Sequence, residues 1–443
     1  MSLYLSKCDI NEIVEQKKFM IDKNILLKHI DFTKSNFLIF TNTKCTIHKD
    51  KNKTDNINPL VWQYGHVIFF YINHVIRYLD DNNKFTNYYK LIDFYDSFLT
   101  PLDNRTNTNK LMTIDSCMCL YNDVIDYIKD YIDNNEVGYL ESYVIMLGIL
   151  HNEMHNEAFI FTNLNIDIKT NIKPIQFDNS CLVENPHFIE YDKGQFIQGS
   201  SQLTNKNLIF DNEMPQFLKN VNKFEISKYP ITEYMFLQFV LINGYNKEQY
   251  WCDTSKQWLK KNNIKLPKYW VKCGDDYFKI INNQKYNVKT NLPMSNISYY
   301  EAKAYCKWKN VRLPFEHEYE YVSTNMGKTL YPWGNHDPSA QLSNINYINN
   351  IVDVNKYQCG DNYNGVSQLI GNIWEWCEEP IYPYNGFMID PIYREMSYPF
   401  FGYKKICKGG CFAVPDFLIH PKYRNAQYPD CRIQFIGFRV CKN

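Results

Sequence analysis

The stretch Leu147-Gly-Ile-Leu-His151-Asn-Glu-Met-His155-Asn-Glu-Ala-Phe159 sets the first half of the chain. With Leu140, Tyr143 and Val144 before it, its apolar residues recur with a period of 3.6, which predicts a helix over 139–162. The same period puts His151 and His155 one turn apart on the inward face, beside Val144, Leu147 and Ala158. Two neutral imidazoles so placed are half of a metal site and call for a further ligand from another helix. The alternative is a pair of hydrogen-bonded core histidines. Because residue 152 is Asn, the pattern is not H-E-x-x-H and a zincin reading fails. Gly148 lies on the same face, at a cost in helix propensity, and its missing side chain is expected to leave room beside the imidazoles.

The stretch 59–79 predicts a second long helix, with Pro59 in its first turn. His66 shares the inward face of Trp62, Phe69, Phe70 and Asn73 and is the natural third ligand. His74 falls about 80° away at the regular helical period, which predicts a surface or outer-shell position. Glu157 sits off the inward stripe and fits an outer-shell partner of a histidine better than a ligand. With 9–30 and 120–133 as further helices, residues 1–165 read as an antiparallel four-helix bundle. Residues 80–118 are polar and give no clear element.

Residues 166–185 read as a polar linker containing Pro174. From Pro186 to Asn443, short apolar runs alternate with Gly, Pro and Asn turns, the texture of an irregular α+β domain. Two helices stand out there. One, over 298–309, opens on a Ser298/Glu301 capping box, and the other follows Pro314 through Glu316 to Val322.

Length suggests two or three domains, and 45% hydrophobic with 22% charged residues is ordinary for a chain that buries a core. Lys plus Arg and Asp plus Glu both number 48, so nothing favours a nucleic-acid or anionic-membrane partner. There is no signal-like leader or membrane-length apolar run, and the expectation is a soluble, cytoplasmic protein. The 14 cysteines include no Cys-x-x-Cys, which predicts free thiols.

Two sets of motifs together carry a family resemblance. Asn58-Pro-Leu-Val-Trp-Gln-Tyr-Gly-His66, followed by His151-x-x-x-His155-x-Glu157, resembles the DinB-like helical domain of the sulfoxide synthases of ergothioneine and ovothiol biosynthesis. The second half resembles the domain those enzymes share with the formylglycine-generating enzyme. The motifs are Phe210-Asp-Asn-Glu-Met-Pro, Tyr229-Pro-Ile-Thr, Ser298-Tyr-Tyr-Glu-Ala, Arg312-Leu-Pro-Phe-Glu-His-Glu-Tyr-Glu-Tyr, Gly371-Asn-Ile-Trp-Glu-Trp, Lys408-Gly-Gly and Gly437-Phe-Arg. The resemblance implies a C-type-lectin-like fold over 186–443, with Trp374 and Trp376 in its core. No cysteine lies between Phe412 and Asp430, and Cys411 and Cys431 do not reproduce the reactive pair of formylglycine-generating enzymes, so that activity is not expected.

The resemblance further implies Fe(II) on His66, His151 and His155, with three open positions for a thiol amino acid, an imidazole amino acid and O2. The product would be an imidazole–cysteine sulfoxide. In the loop Pro380-Ile-Tyr382-Pro-Tyr384, which resembles the ovothiol type, Tyr382 falls at the active-site tyrosine and Tyr384 accompanies it. Arg105 is the candidate for the thiol substrate's carboxylate. Met154 stands where some ergothioneine-type enzymes carry a polar residue near the trimethylammonium group, which weakens a hercynine-specific reading. Histidine or hercynine, and cysteine or γ-glutamylcysteine, stay open. Two other functions stay open too: a zinc- or nickel-dependent thiol S-transferase on the same bundle, and a non-catalytic lectin-like binding protein.

Overall fold

The computed structural model describes residues 14, 19–41, 57–80, 83–106, 109–178, 180–201 and 208–443. Its contacts divide into two compact units that do not follow chain order. The first gathers described residues of Met1–Asn171, Ser201–Asp211 and Met388–Tyr398, and the second holds Ile172–Ser200, Asn212–Phe387 and Pro399–Asn443.

The first unit is built on α1 (Lys23–Thr41), α2 (Leu60–Tyr71, continued to Leu79), α3 (Ile114–Asn134) and α4 (Tyr139–Asn165). Of the helix expected over 9–30, residues 9–13 and 15–18 lie outside the described residues, Val14 is helical, residues 19–22 are not, and α1 begins at Lys23. Thr113 caps α3 by accepting from the Ser116 amide at 3.2 Å. Glu141 accepts from the Gly138 amide at the start of α4. α3 is amphipathic, burying Cys117, Leu120, Tyr121, Val124, Ile125, Ile128 and Ile132 along one stripe. α4 is buried on nearly every side, which explains its long apolar run. Phe37 of α1 stacks on Tyr121 of α3 at 3.7 Å and meets Phe159 of α4 edge-on. Asn152 of α4 accepts from the Tyr121 and Tyr71 hydroxyls, and Asn156 reaches the Thr33 carbonyl, so polar groups on α4 bond to all three other helices.

Two departures from the expected α2 matter for the site. Residues Ile72–Ile76 form a π-helical turn, whose i→i+5 bonding underwinds the helix and resets the phase of everything after it. A Cβ on Gly148 would lie 2.6 Å from the Tyr71 ring and 2.7 Å from Val75. The glycine therefore admits α2 against α4, and not, as expected, the imidazoles of its own helix. Residues 80–113 hold short turns: Thr86–Leu91, Ile92–Tyr95 and Leu102–Asn104.

The second unit is rich in short strands. One sheet orders Phe188–Tyr191, Phe224–Ser227, Cys441–Lys442 and Val311–Arg312, so the chain's end pairs with its middle. Another orders Asn425–Gln427, Lys405–Lys408, Trp374–Pro380 and Ile436–Gly437. The helix Tyr299–Lys309 starts on the expected Ser298/Glu301 capping box, and a second runs Glu316–Ser323. Trp374 and Trp376 are buried as expected, and the Trp376 indole donates to the Ile297 carbonyl at 3.0 Å. A Cβ at Gly437 would meet the Met294 carbonyl oxygen at 1.9 Å, so backbone approach demands glycine there. Arg439 beside it is fully buried and holds Glu375 through Nε (2.7 Å) and Nη2 (2.8 Å). Every described cysteine is a free thiol, and no described helix is long and apolar enough to cross a membrane.

Candidate metal centre

α2 supplies His66, and α4 supplies His151 and His155. Their ring centroids lie 5.0 Å (His66–His151), 4.8 Å (His66–His155) and 4.7 Å (His151–His155) apart. One nitrogen from each falls within 4.8 Å of the others. Among the described residues this is the one group of three or more His, Cys, Asp or Glu that converges in this way. Glu157 is buried but stands outside it.

The surroundings keep these rings neutral and fixed. Burial lowers the His66 pKa to about 4, although its bond to the Tyr95 carbonyl works the other way. Burial also pushes His151 and His155 well below the ordinary histidine value. The His66 Nδ1–H donates to the Tyr95 carbonyl at 2.6 Å, which leaves Nε2 with its lone pair. That carbonyl is reachable because residue 65 is glycine: a Cβ there would stand 2.0 Å from the Tyr95 ring. Trp62 stacks on His66 at 5.1 Å, and Phe70 stacks on His151 at 3.7 Å. The Nδ1 atoms of His151 and His155 are buried without a hydrogen-bond partner. Such atoms are costly in an apolar interior.

A divalent ion fits this donor set. Three neutral imidazoles converge, and two of them carry orphaned polar atoms in a water-poor place. Nitrogens about 2.1 Å from one ion stand about 3–4 Å apart, so binding draws the rings inward.

A cleft opens beside His66. It is lined by Phe69, Phe70, Asn73, His74, Ile92, Tyr95, Asp96, Ser97, Phe98, Tyr393 and Glu395. His74 belongs to it, which fits the outer-shell one of its two expected places and not the surface one, and the π turn sets its direction. Its ring lies 4.5 Å from Phe70 and is hydrogen-bonded to the Ile392 backbone. Tyr393, which the sequence reading missed, stands edge-on to His151 at 5.7 Å and to Phe70 at 4.9 Å. It arrives on the segment 390–397 from far along the chain. Only the short phrase Asp390-Pro-Ile-Tyr393, with an Asx-type turn, marked it in the sequence.

The remaining candidates sit differently. Arg105 donates from Nε to the Thr100 carbonyl, from Nη1 to Asn58 Oδ1 and from Nη2 to the Ser97 carbonyl, with its guanidinium 4.3 Å from the Trp62 ring. It ties the loop after α2 to the start of that helix. Met154 is half-buried on α4 between the two histidines. Tyr382 and Tyr384 both belong to the second unit. Tyr382 is exposed. Tyr384 was expected as a catalytic hydroxyl; it is buried, donates to Glu316 and receives from Gln198, both at 3.3 Å, under the Arg424 guanidinium. That hydroxyl serves a buried ionic cluster in which Arg424 grips Glu316.

Comparison with known proteins adds to this geometry. Hercynine oxygenase of Mycobacterium tuberculosis (strain ATCC 25618 / H37Rv) is 29% identical over 236 residues, 52% of this chain and 55% of that protein. Hercynine oxygenase of Mycolicibacterium smegmatis is 28% identical over 257 residues, 56% of this chain and 59% of that one. The chain spans about half the length of these curated relatives. Among solved structures, PvdO from Pseudomonas aeruginosa aligns with a TM-score of 0.40 and 20% identity, over 61% of this chain and 99% of that one. Residues 175–443 match the sulfatase-modifying factor enzyme 1-like domain. The chain belongs to that family.

Proposed function

We propose that the protein is an Fe(II)- and O2-dependent oxygenase that joins the sulfur of cysteine or γ-glutamylcysteine to the imidazole ring of hercynine or histidine. The balance is thiol plus imidazole C–H plus O2, giving the sulfoxide and one water. The observation that carries the reading is the convergence of neutral His66, His151 and His155 in one buried place. The names of the relatives, hercynine oxygenases, favour an oxygenase over an S-transferase. On this reading α1–α4 form a DinB-like bundle and the second unit has a C-type-lectin-like fold.

His66, His151 and His155 would hold the ion. Fe(II) there would supply O2 activation and a position for the thiolate. The Tyr95 carbonyl fixes the His66 tautomer and the direction of its free nitrogen. Trp62 and Phe70 wall the rings from bulk water. Tyr382 is proposed to steer coupling against simple thiol oxidation.

The test is aerobic incubation of the Fe(II)-loaded protein with both thiols and both imidazoles, read by mass spectrometry. A sulfoxide joining the two substrates is expected, and it should vanish in His66→Ala along with tight metal binding. Tyr382→Phe should raise the share of cysteine sulfinate. Failure to form any coupled product would overturn the reading.

A further inference from the structure

The loop that carries Tyr382 is anchored on both sides of that residue, and the Tyr382 ring is left out of the anchoring. Before it, Ile381 is buried; its amide donates to the Lys404 carbonyl at 2.9 Å, and its carbonyl accepts from the Gly402 amide at 2.8 Å. After it, the Tyr384 ring is buried edge-on to Phe217 at 4.9 Å, and its hydroxyl meets Glu316 and Gln198. Pro380 and Pro383 fix the backbone angle at two further places. The Tyr382 side chain is 57% exposed, and its hydroxyl has no hydrogen-bond partner among the described residues. The ring lies along Gly402, where a Cβ would come within 3.5 Å of it.

At residue 382 itself a buried side chain takes hold of the backbone. Arg424 Nη2 donates to the Tyr382 carbonyl at 3.0 Å and to Glu316 Oε2 at 3.1 Å. Its Nε donates to Glu316 Oε1 at 2.6 Å and its Nη1 to the Asn212 carbonyl at 2.5 Å. Asn212 Nδ2 returns to the Arg424 carbonyl at 3.3 Å, and the guanidinium carbon stands 4.0 Å from the centre of the Tyr384 ring. One planar fork thus joins the loop to the helix Glu316–Ser323 and to Asn212. Taking an ion pair out of water is costly, and such pairs add little net stability over apolar packing. Water can satisfy a carbonyl beside an exposed residue. A buried cation directed at that carbonyl does something water cannot: it fixes where residue 382 stands.

We propose that Arg424 is a positioning residue for Tyr382, its guanidinium anchored on Glu316 and gripping the residue 382 carbonyl so that the unpartnered phenol is presented from one fixed place. The inference rests on the proposed role of Tyr382 in steering the coupling, and it names the device that aims it.

The test compares Arg424→Lys and Tyr384→Phe with the parent, each as the full chain. Lysine keeps the charge beside Glu316, but its single nitrogen cannot hold Glu316, Asn212 and residue 382 as a fork does. Tyr384→Phe removes only a hydroxyl and leaves no ion unpaired, so it stays informative where Arg424→Lys folds poorly. Hydrogen exchange of the amides over 381–387, read by mass spectrometry on the metal-free protein, should quicken about tenfold or more in Arg424→Lys, the effect of losing one hydrogen bond from a charged donor. Tyr384→Phe should quicken it by less. Co(II) affinity at the histidines should be unchanged in both, which separates a loosened loop from an unfolded chain. With Fe(II) and both substrates, Arg424→Lys should raise the share of cysteine sulfinate as Tyr382→Phe does. It should add nothing further in the Tyr382→Phe/Arg424→Lys double variant, because the arginine acts through the phenol. A merely structural arginine would give the same added loss with or without that hydroxyl. Unchanged exchange over 381–387 in both variants, or a full additional rise in sulfinate in the double variant, overturns the positioning role. Exchange is read without turnover, so a loosened loop with no sulfoxide formed by the parent would sink the proposed reaction and spare the positioning. Sulfoxide with a Tyr382-dependent product ratio and an unmoved loop would do the reverse.

Discussion

Gly65→Ala is a one-methyl test of how His66 is aimed. The added Cβ would stand 2.0, 2.5 and 2.6 Å from Tyr95 ring carbons, far inside van der Waals contact. The ring has little room to yield. It is 1% exposed, it stacks on Phe69 at 4.6 Å with an interplanar angle of 10°, and its hydroxyl accepts from the Met112 amide. Overpacking of this kind costs about 1–3 kcal/mol, and alanine in a helix returns about 1 kcal/mol relative to glycine. A net loss of about 0–2 kcal/mol is expected. The sharper effect falls on the metal, because the displaced residue owns the carbonyl that holds His66 Nδ1. Loss of such an outer-shell bond typically weakens metal binding about 10–100-fold. Co(II) titration followed in the visible, against a chelator of known affinity, reads this directly, with a thermal melt alongside. Tyr95→Leu removes the ring and keeps the carbonyl, so Gly65→Ala/Tyr95→Leu should bind more tightly than Gly65→Ala alone. A Gly65→Ala protein with native Co(II) affinity and melting point would refute the argument.

Two further expectations concern the second unit. Burial, with Glu316 nearby, raises the Glu379 carboxyl to about 7. The folded pKa exceeds the unfolded one, so the folded state binds the extra proton and stability falls as pH rises from about 4.5 to 7. Glu379→Gln has no such penalty, and its advantage in urea denaturation should grow over that window to at most about 3 kcal/mol and then level off; an advantage independent of pH would contradict the assignment. Glu375→Gln leaves the buried Arg439 charge poorly matched and should cost about 3–5 kcal/mol. The double change Glu375→Leu/Arg439→Met should cost less than that single, and equal or greater loss would show that the unpaired charge is not the source of the cost.

The sequence revealed the parts of the molecule that obey a fixed period. α4 and its two histidines were legible because its apolar residues recur as a helix requires, and His66 because α2 keeps that period as far as Tyr71. His74 was left open between surface and outer shell where the period fails: the π turn at Ile72–Ile76, which sets its direction, cannot be read from Ile-Asn-His-Val-Ile. Gly148 was assigned to the wrong neighbour for a related reason. A glycine signals close approach, but which element approaches depends on helix packing, and here it is Tyr71 and Val75 of α2. Tyr393 and Asp390 lay beyond periodic reasoning altogether, since Asp390 meets Tyr143 of α4 across 247 residues and Tyr393 meets Phe70 of α2 from farther still. Local turn chemistry marks Asp390, and nothing local says which helix it meets.

That long-range arrangement bears on how the site divides its work. The atoms that would grip a metal sit on α2 and α4, and their aim depends on Gly65 and Tyr95. The residues that line the cleft beside them sit on the turn at Asp96 and on the pinned segment 390–397. The two sets touch through His151 and Tyr393, and they are tied by hydrogen bonds from the Tyr143 hydroxyl of α4 to Asp390 and between His74 of α2 and the Ile392 backbone. Groups joined through shared partners do not respond independently. Tyr143→Phe, which removes the α4 tie without touching a metal-site histidine, should therefore weaken Co(II) binding in the same titration, and its effect should not simply add to that of Gly65→Ala. Strictly additive losses, or a Tyr143→Phe protein with native Co(II) affinity, would show that the segment lies against the helices without helping to aim their histidines.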